Sequence, residues 1–188
     1  MYQICVSGAA RGNSVEEGKK LAAELGVAIA RAGHALMSGA TVGLPNYAAE
    51  AYKQAGGIMS VGLSPAASKV EHVMKYRLPT EAYDTIIFTG LHYVGRDTLL
   101  ITSSDAVVSV GGRLGTLHEF TIAVETDTPI GFLQGAGGIS EQIQTIIKVA
   151  HPLRPGAMIT FNESADTLIT ELTHYLDKQH AKHYNLYQ

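Results

Sequence analysis

The sequence predicts an α/β fold: a single-domain, Rossmann-like, doubly wound parallel sheet of about seven strands with helices on both faces. Three observations carry that expectation. Short β-branched apolar runs alternate with amphipathic stretches of helical length along the 188 residues, the pattern of βαβ units joined by right-handed crossovers. Loops of small residues follow several of the apolar runs. A hydrophobic share of 46% against 16% charged residues suits strands covered on both faces.

The elements follow in order. Residues 4–6 begin the first strand, which leads into Ser7, Gly8, Ala9, Ala10, Arg11 and Gly12. Ser14 and Glu17 have capping-box spacing, so a helix is expected to open there, with Val15, Leu21, Leu25 and Ile29 on its apolar face and Gly33 at its end. Residues 35–37 form the second strand, and Ser38 to Gly43 a second small-residue loop. A helix then enters near Pro45, an allowed residue in a first turn, and stops at Gly56 and Gly57. The third strand spans 58–63. From Ser64 to Asp84, between Pro65 and Pro79, the periodicity loosens.

Regularity returns with a strand at 85–89, closed by Gly90, and a short helix over roughly 95–103. Residues 106–110 are apolar and β-branched, as expected of a strand buried on both faces. Gly111, Gly112 and Gly115 then form a turn, and a helix opens at Thr116 and runs to about Glu125. A strand at 130–133, a glycine-rich loop at 135–138 and a helix capped by Ser140 come next, then a strand at 158–161 and a helix from 162 to about 179. The polar and aromatic tail from His180 frays or packs on a partner subunit. No repeat or linker divides the chain, so residues 1–188 are read as one domain.

Composition excludes several function classes. A net charge of -3 with scattered Lys and Arg offers no basic stripe for nucleic acid. The lone Cys5 sits in the first apolar run, consistent with a packing residue in a reducing compartment. The N-terminus lacks a signal-peptide pattern, and no apolar segment approaches the ~20 residues that span a bilayer, so a soluble, cytoplasmic protein is expected. There is no G-x-G-x-x-G fingerprint with a following acidic residue, no Walker lysine and no G-x-S-x-G elbow. The histidines show no metal-ligand spacing: His118 and Glu119 lack a second histidine, and His180 and His183 read as polar surface. No metal and no required cofactor are expected.

In open α/β sheets ligands bind outside the carboxyl ends of the strands, where the strand order switches. That rule gathers three loops on one rim, and with them the candidate phosphate- or nucleotide-binding residues Ser7, Gly8, Ser38, Gly39, Gly43, Gly111, Gly112, Gly115 and Thr116. Glycines let backbone N–H groups converge on an anion at a helix start, and Thr116 adds a hydroxyl. A structural alternative stands beside this: Thr116 and Glu119 also have the spacing of a capping box, which serves only the helix. Arg113 is either a ligand contact or a solvated loop residue.

Gly95, Arg96 and Asp97, followed by Ser104, Asp105 and Ala106 and then by the run from Gly111 to Glu119, resemble the LOG family (Lonely Guy proteins, often labelled lysine decarboxylases). Those proteins carry an R-K pair and a P-G-G-x-G-T-x-x-E motif, and the residues from Ser38 to Leu44 are similar to their second glycine loop. Here Val110 replaces the proline, Asp97 the lysine and Pro45 a methionine, and Arg113 and Leu114 together stand where the family has one residue. Such departures suit a divergent branch that resembles molybdenum cofactor carrier proteins.

The resemblance implies Arg96 and Glu119 as catalytic residues hydrolysing the N-glycosidic bond of a nucleoside 5′-monophosphate, and a homodimer. Its alternative is a non-catalytic carrier or sensor of a phosphorylated, nucleotide-like or pterin ligand. A lysine decarboxylase would need a pyridoxal-phosphate site, and no Schiff-base lysine with partners is visible.

Overall fold

A computed structural model describes residues 1–150 and 158–183. Seven parallel strands form one sheet in the order β4-β3-β2-β1-β5-β6-β7. In chain order, β1 (Gln3–Gly8), α1 (Asn13–Arg31), β2 (Ala35–Ser38), α2 (Leu44–Gln54) and β3 (Ser60–Ser64) build one half. A π-helical turn, Glu71–Lys75, and β4 (Thr85–Phe88) complete it. The other half holds α3 (His92–Thr102), β5 (Ala106–Val110), α4 (Leu114–Glu125), β6 (Ile130–Leu133), a 3₁₀ turn (Gly138–Glu141), α5 (Ile143–Ala150), β7 (Ile159–Asn162) and α6 (Ala165–Ala181). The expected doubly wound α/β sheet is the observed one.

Alternation along the central strands divides the core into two layers. Ile4, Val6, Val108 and Val110 pack with Leu25 and Ile29 of α1, Ala48 and Tyr52 of α2 and Leu168 and Leu172 of α6. On the opposite face, Cys5 and Val107 pack with Leu100 and Ile101 of α3, Phe120 and Ala123 of α4 and Ile143 of α5. Side chains of a strand point alternately to the two faces, so a strand covered on both must be apolar throughout. The contact of α1 with α2 in the first layer rests on Gly26: a Cβ there would lie 2.0 Å from the Ala48 carbonyl oxygen of α2.

Helix starts differ from the sequence expectation in an instructive way. α1 begins at Asn13 with Gly12 as its N-cap, at φ 100°, and no side chain caps it. Ser14 is therefore inside the helix and is buried, so the Ser14/Glu17 capping box does not form. α4 begins at Leu114, two residues earlier than expected, with Arg113 at its N-cap and no side-chain cap; Thr116 lies within the first turn and the Thr116/Glu119 box does not form either. Ser140 caps nothing: its hydroxyl donates to the Gly111 carbonyl and tethers the loop after β6 to the glycine turn after β5. α6 starts at Ala165 rather than 162, capped by Ser164.

The segment 64–84 is ordered by a buried histidine. His72 accepts from the Ser64 hydroxyl at Nδ1 (2.7 Å) and donates from Nε2 to the Pro79 carbonyl (3.0 Å). These two side-chain contacts within the segment replace the missing periodicity. Of the tail, α6 continues through Ala181, and residues 184–188 lie outside the described residues. No helix among the described residues is long and apolar enough to cross a membrane.

Candidate functional site

The strand order reverses between β1 and β5, and the loops leaving these two strands lie side by side. Two adjoining cavities open there. The inner one, of about 180 Å³, is lined among others by Gly39, Tyr93, Arg96, Asp97, Thr116 and Glu119. The outer one, of about 350 Å³, is lined by Gly8 to Arg11, Arg113, Leu114, Gly115 and Thr116. Gly8, Ala10, Gly115 and Thr116 belong to both, so together they form one groove over the start of α4.

Backbone geometry explains the glycines. Gly112 has φ 103°, and a Cβ there would meet the Thr116 Oγ1 at 2.2 Å, so only glycine fits. Gly115 is different. It lies in the first turn of α4, where a Cβ would meet nothing within 4 Å, although alanine favours a helix over glycine by up to about 1 kcal/mol. The space that the missing side chain leaves is the groove itself.

Of the residues expected at the site, Gly8, Gly39, Gly115, Thr116, Arg96 and Glu119 line the groove. Ser7 is buried and donates a short hydrogen bond to Glu119 Oε2. Ser38, Gly43, Gly111 and Gly112 line neither cavity. The Ser38 hydroxyl is shared with Tyr83 (2.7 Å) and the Ala40 N–H (3.2 Å). Gly43 packs against the first loop, where a Cβ would lie 2.3 Å from the Ala9 carbonyl oxygen. Gly111 and Gly112 are held from behind, the latter by the Ile139 N–H donating to its carbonyl at 3.0 Å. These four shape the loops and leave the lining to others.

Glu119 faces the inner cavity from α4. Burial first, and the Asp97 carboxylate second, push its carboxyl up to about 7, against the opposing effects of the Ser7 hydroxyl, Arg96 and His118. Arg96 is only 3% exposed. Its Nη1 donates to the Leu63 carbonyl at 2.9 Å, and it lies against Gly39, where a Cβ would sit 1.7 Å from Nη1. Its Nε stands 3.1 Å from Asp97 Oδ1 without aligned hydrogen-bond geometry. The other Asp97 oxygen accepts from His118 Nδ1 at 3.1 Å.

Sequence reasoning did not nominate Tyr93, Thr41 or Asp97 as site residues. Asp97 is 6% exposed, and in the sequence it stands out only as a departure from a lysine. Its pairing with a neighbour in sequence is atypical of helices and left no periodic signal. Among the described residues no group of three or more His, Cys, Asp or Glu side chains could hold a metal ion.

The sequence profile of the SLOG cluster4 family matches residues 1–169. The chain belongs to that family. The LOG-like resemblance is thereby borne out at the level of the SLOG superfamily. A relative of this SLOG protein, an uncharacterized protein of Archaeoglobus fulgidus, is 32% identical over 134 residues, covering 71% of this chain and 81% of its own.

Among solved structures, the fold is shared with TM1055 at a TM-score of 0.79 and 22% identity, over 93% of this chain and 99% of that one. The molybdenum cofactor carrier protein of Chlamydomonas reinhardtii superposes at a TM-score of 0.74 and 26% identity, over 93% of this chain and 98% of its own. A molybdenum cofactor binding protein of Rippkaea orientalis gives 0.72 and 24%, over 92% and 96%.

Proposed function

We propose that this SLOG protein binds a nucleoside 5′-monophosphate-like ligand along the groove and hydrolyses its N-glycosidic bond, releasing free base and ribose 5-phosphate. The observation that carries the reading is Glu119, a carboxyl pushed up to about 7 that faces the inner cavity beside an anion-ready helix start. Phosphate suits the outer cavity: Arg11 and Arg113 line it, and the first turn of α4 carries no acidic residue and no side-chain cap, so its N–H groups and positive dipole end stay available.

Such an anchor places the ribose over the inner cavity, and remote binding energy fixes the reacting carbon. As the C1′–N bond breaks, positive charge grows on the sugar; ionised Glu119 stabilises it and accepts the proton of the incoming water, while the departing base takes up a proton from solvent or the site. A carboxyl that titrates near neutrality is suited to proton traffic in either direction. No cofactor is needed for this chemistry. Incubation with AMP should release adenine, and the absence of free base from AMP, GMP, CMP and UMP would defeat the hydrolytic reading.

A carrier reading is favoured by one observation, the likeness at 26% identity to the Chlamydomonas molybdenum cofactor carrier protein along nearly the whole chain. Under that reading the same groove holds a phosphorylated pterin intact. Mass spectrometry of ligand released from fresh protein separates the two. A homodimer is proposed as well, with exposed Val70, Met74, Leu91 and Val94 as apolar surface for self-association; sedimentation gives the mass directly.

A further inference from the structure

We propose that Asp97 is a positioning residue that ties Arg96 into the wall of the groove, and so commits the inner cavity to the uncharged sugar end of the ligand while a single phosphate goes to the outer cavity. The inference rests on the nucleotide reading above and deepens it by naming the residue that sets the division: a carboxylate, Asp97, that keeps a second anionic group on the ribose out of the inner cavity.

The geometry runs from the arginine outward. Arg96 Nη1 is committed to the Leu63 carbonyl and its Nε faces Asp97 at 3.1 Å. Both residues are almost wholly buried, at 3% and 6% exposure. A guanidinium whose charge is matched by an adjacent carboxylate, and whose Nη1 is taken by a backbone oxygen, is a poor anchor for a second phosphate. The charge it would offer is already compensated.

The same carboxylate binds His118 at 3.1 Å, so α3 and α4 are joined beside the inner cavity by one bridge, Arg96 to Asp97 to His118. With two carboxyl groups, Asp97 and Glu119, and a single arginine on the inner wall, the inner cavity is not cationic. It suits hydroxyl donors, which carboxylates accept from, and it disfavours an anion. The outer cavity has the opposite character, with Arg11 and Arg113 on its rim. Where the LOG pattern has a lysine, this chain has reversed the charge of the residue beside Arg96, and the two cavities divide the ligand between them accordingly.

The ionisable groups that act most strongly on Glu119 bear on this balance. Asp97 and Arg96 come from α3, His118 from α4 itself, and Cys5 from β1, beside the Ser7 hydroxyl. Of these, Asp97 is the carboxylate that pushes the Glu119 carboxyl up.

Two probes and one variant test the assignment. Calorimetry compares AMP with adenosine 3′,5′-bisphosphate on the wild-type chain and on Asp97→Asn, and side-chain carboxyl NMR follows the titration of Glu119 in both proteins. The wild type is expected to bind AMP at least about tenfold more tightly than the bisphosphate, a difference of about 1.4 kcal/mol. D97N is expected to close most of that gap and to lower the Glu119 midpoint by on the order of one pH unit.

An unchanged preference together with an unchanged midpoint in D97N overturns the proposal. Equal binding of the two nucleotides by the wild type overturns it without any variant, which covers the case in which D97N does not fold. If neither nucleotide binds, the nucleotide reading fails, and with it the assignment of the cavities; the Glu119 midpoint in D97N then shows whether the bridge itself acts on Glu119.

Discussion

Two helices start on the same rim of the sheet in opposite ways. α6 follows β7 at the sheet edge, and its first turn is satisfied from within: the Ser164 hydroxyl accepts from the Thr167 N–H, the Asn162 side chain accepts from the Ser164 N–H, and Asp166 meets the positive end of the dipole. α4 follows β5 at the switch in strand order, and it has no capping side chain, no acidic residue in its first turn and a glycine, Gly115, with open space beside it. A helix start completed by its own side chains serves the fold. One left incomplete over a groove is available to a ligand.

The largest expected effect breaks the α4 side of this contrast. Glu119→Gln should lower base release from AMP by on the order of 10²–10⁴-fold, the range for removing a general acid or base, while AMP affinity changes little because the phosphate anchor is untouched. Turnover at the wild-type rate in the variant would remove Glu119 from the chemistry.

Second comes a stability effect of the same residue. Because the folded Glu119 titrates near 7 rather than at its ordinary 4.5, the folded chain holds a proton that the unfolded chain has already released between those values. Its contribution therefore falls as pH rises through that window and levels off above about 7, with a cost of up to about 3 kcal/mol. E119Q should melt above wild type at pH 8 and near it at pH 4.5; an equal or lower melting temperature at pH 8 would show that Glu119 is not held at a cost.

Third, Gly115→Ala tests whether the open space is meant for a ligand. A helix gains up to about 1 kcal/mol from this change, and the added methyl meets nothing within the protein. The variant should be at least as thermostable as the wild type yet bind AMP on the order of tenfold more weakly, about 1.4 kcal/mol. Unaltered affinity would mean that the groove does not use that face of α4. The same substitution at Gly112 should lower the melting temperature instead, because its Cβ collides with Thr116.

The difference between the two helix starts also marks how far the sequence could be read. The alternation of elements announced the parallel sheet, and the rule for switch points placed the loops after β1 and β5 at the site. Arg96 and Glu119 followed from a motif, and both line the groove. Local patterns misled at the helix starts. Ser14 with Glu17, and Thr116 with Glu119, have capping-box spacing, yet Glu119 of α4 is drawn to Ser7 on β1 and Gly12, at φ 100°, opens α1 without a cap.

Asp97 was illegible for a related reason. Its partners are the adjacent Arg96 and a histidine 21 residues away, and neither spacing has a periodicity that a single sequence displays. Ser164, with a purely local role that no distant residue contests, caps its helix as the principle for such residues describes.

That last contrast yields the smallest expected effect and the cleanest control. Ser164→Ala removes the acceptor for the Thr167 N–H and should destabilise the chain by about 1 kcal/mol, a fall of roughly 2–4 °C in melting temperature for a chain of this size. AMP binding and turnover should stay at wild-type levels, since α6 starts at the sheet edge, three strands from β1 and beyond β6. If Ser164→Ala weakened AMP binding as Gly115→Ala does, the two helix starts would be coupled and the division of the rim into a structural edge and a ligand-binding centre would not hold. A stability loss confined to Ser164→Ala, with an affinity loss confined to Gly115→Ala, assigns the two ends of the rim to different work.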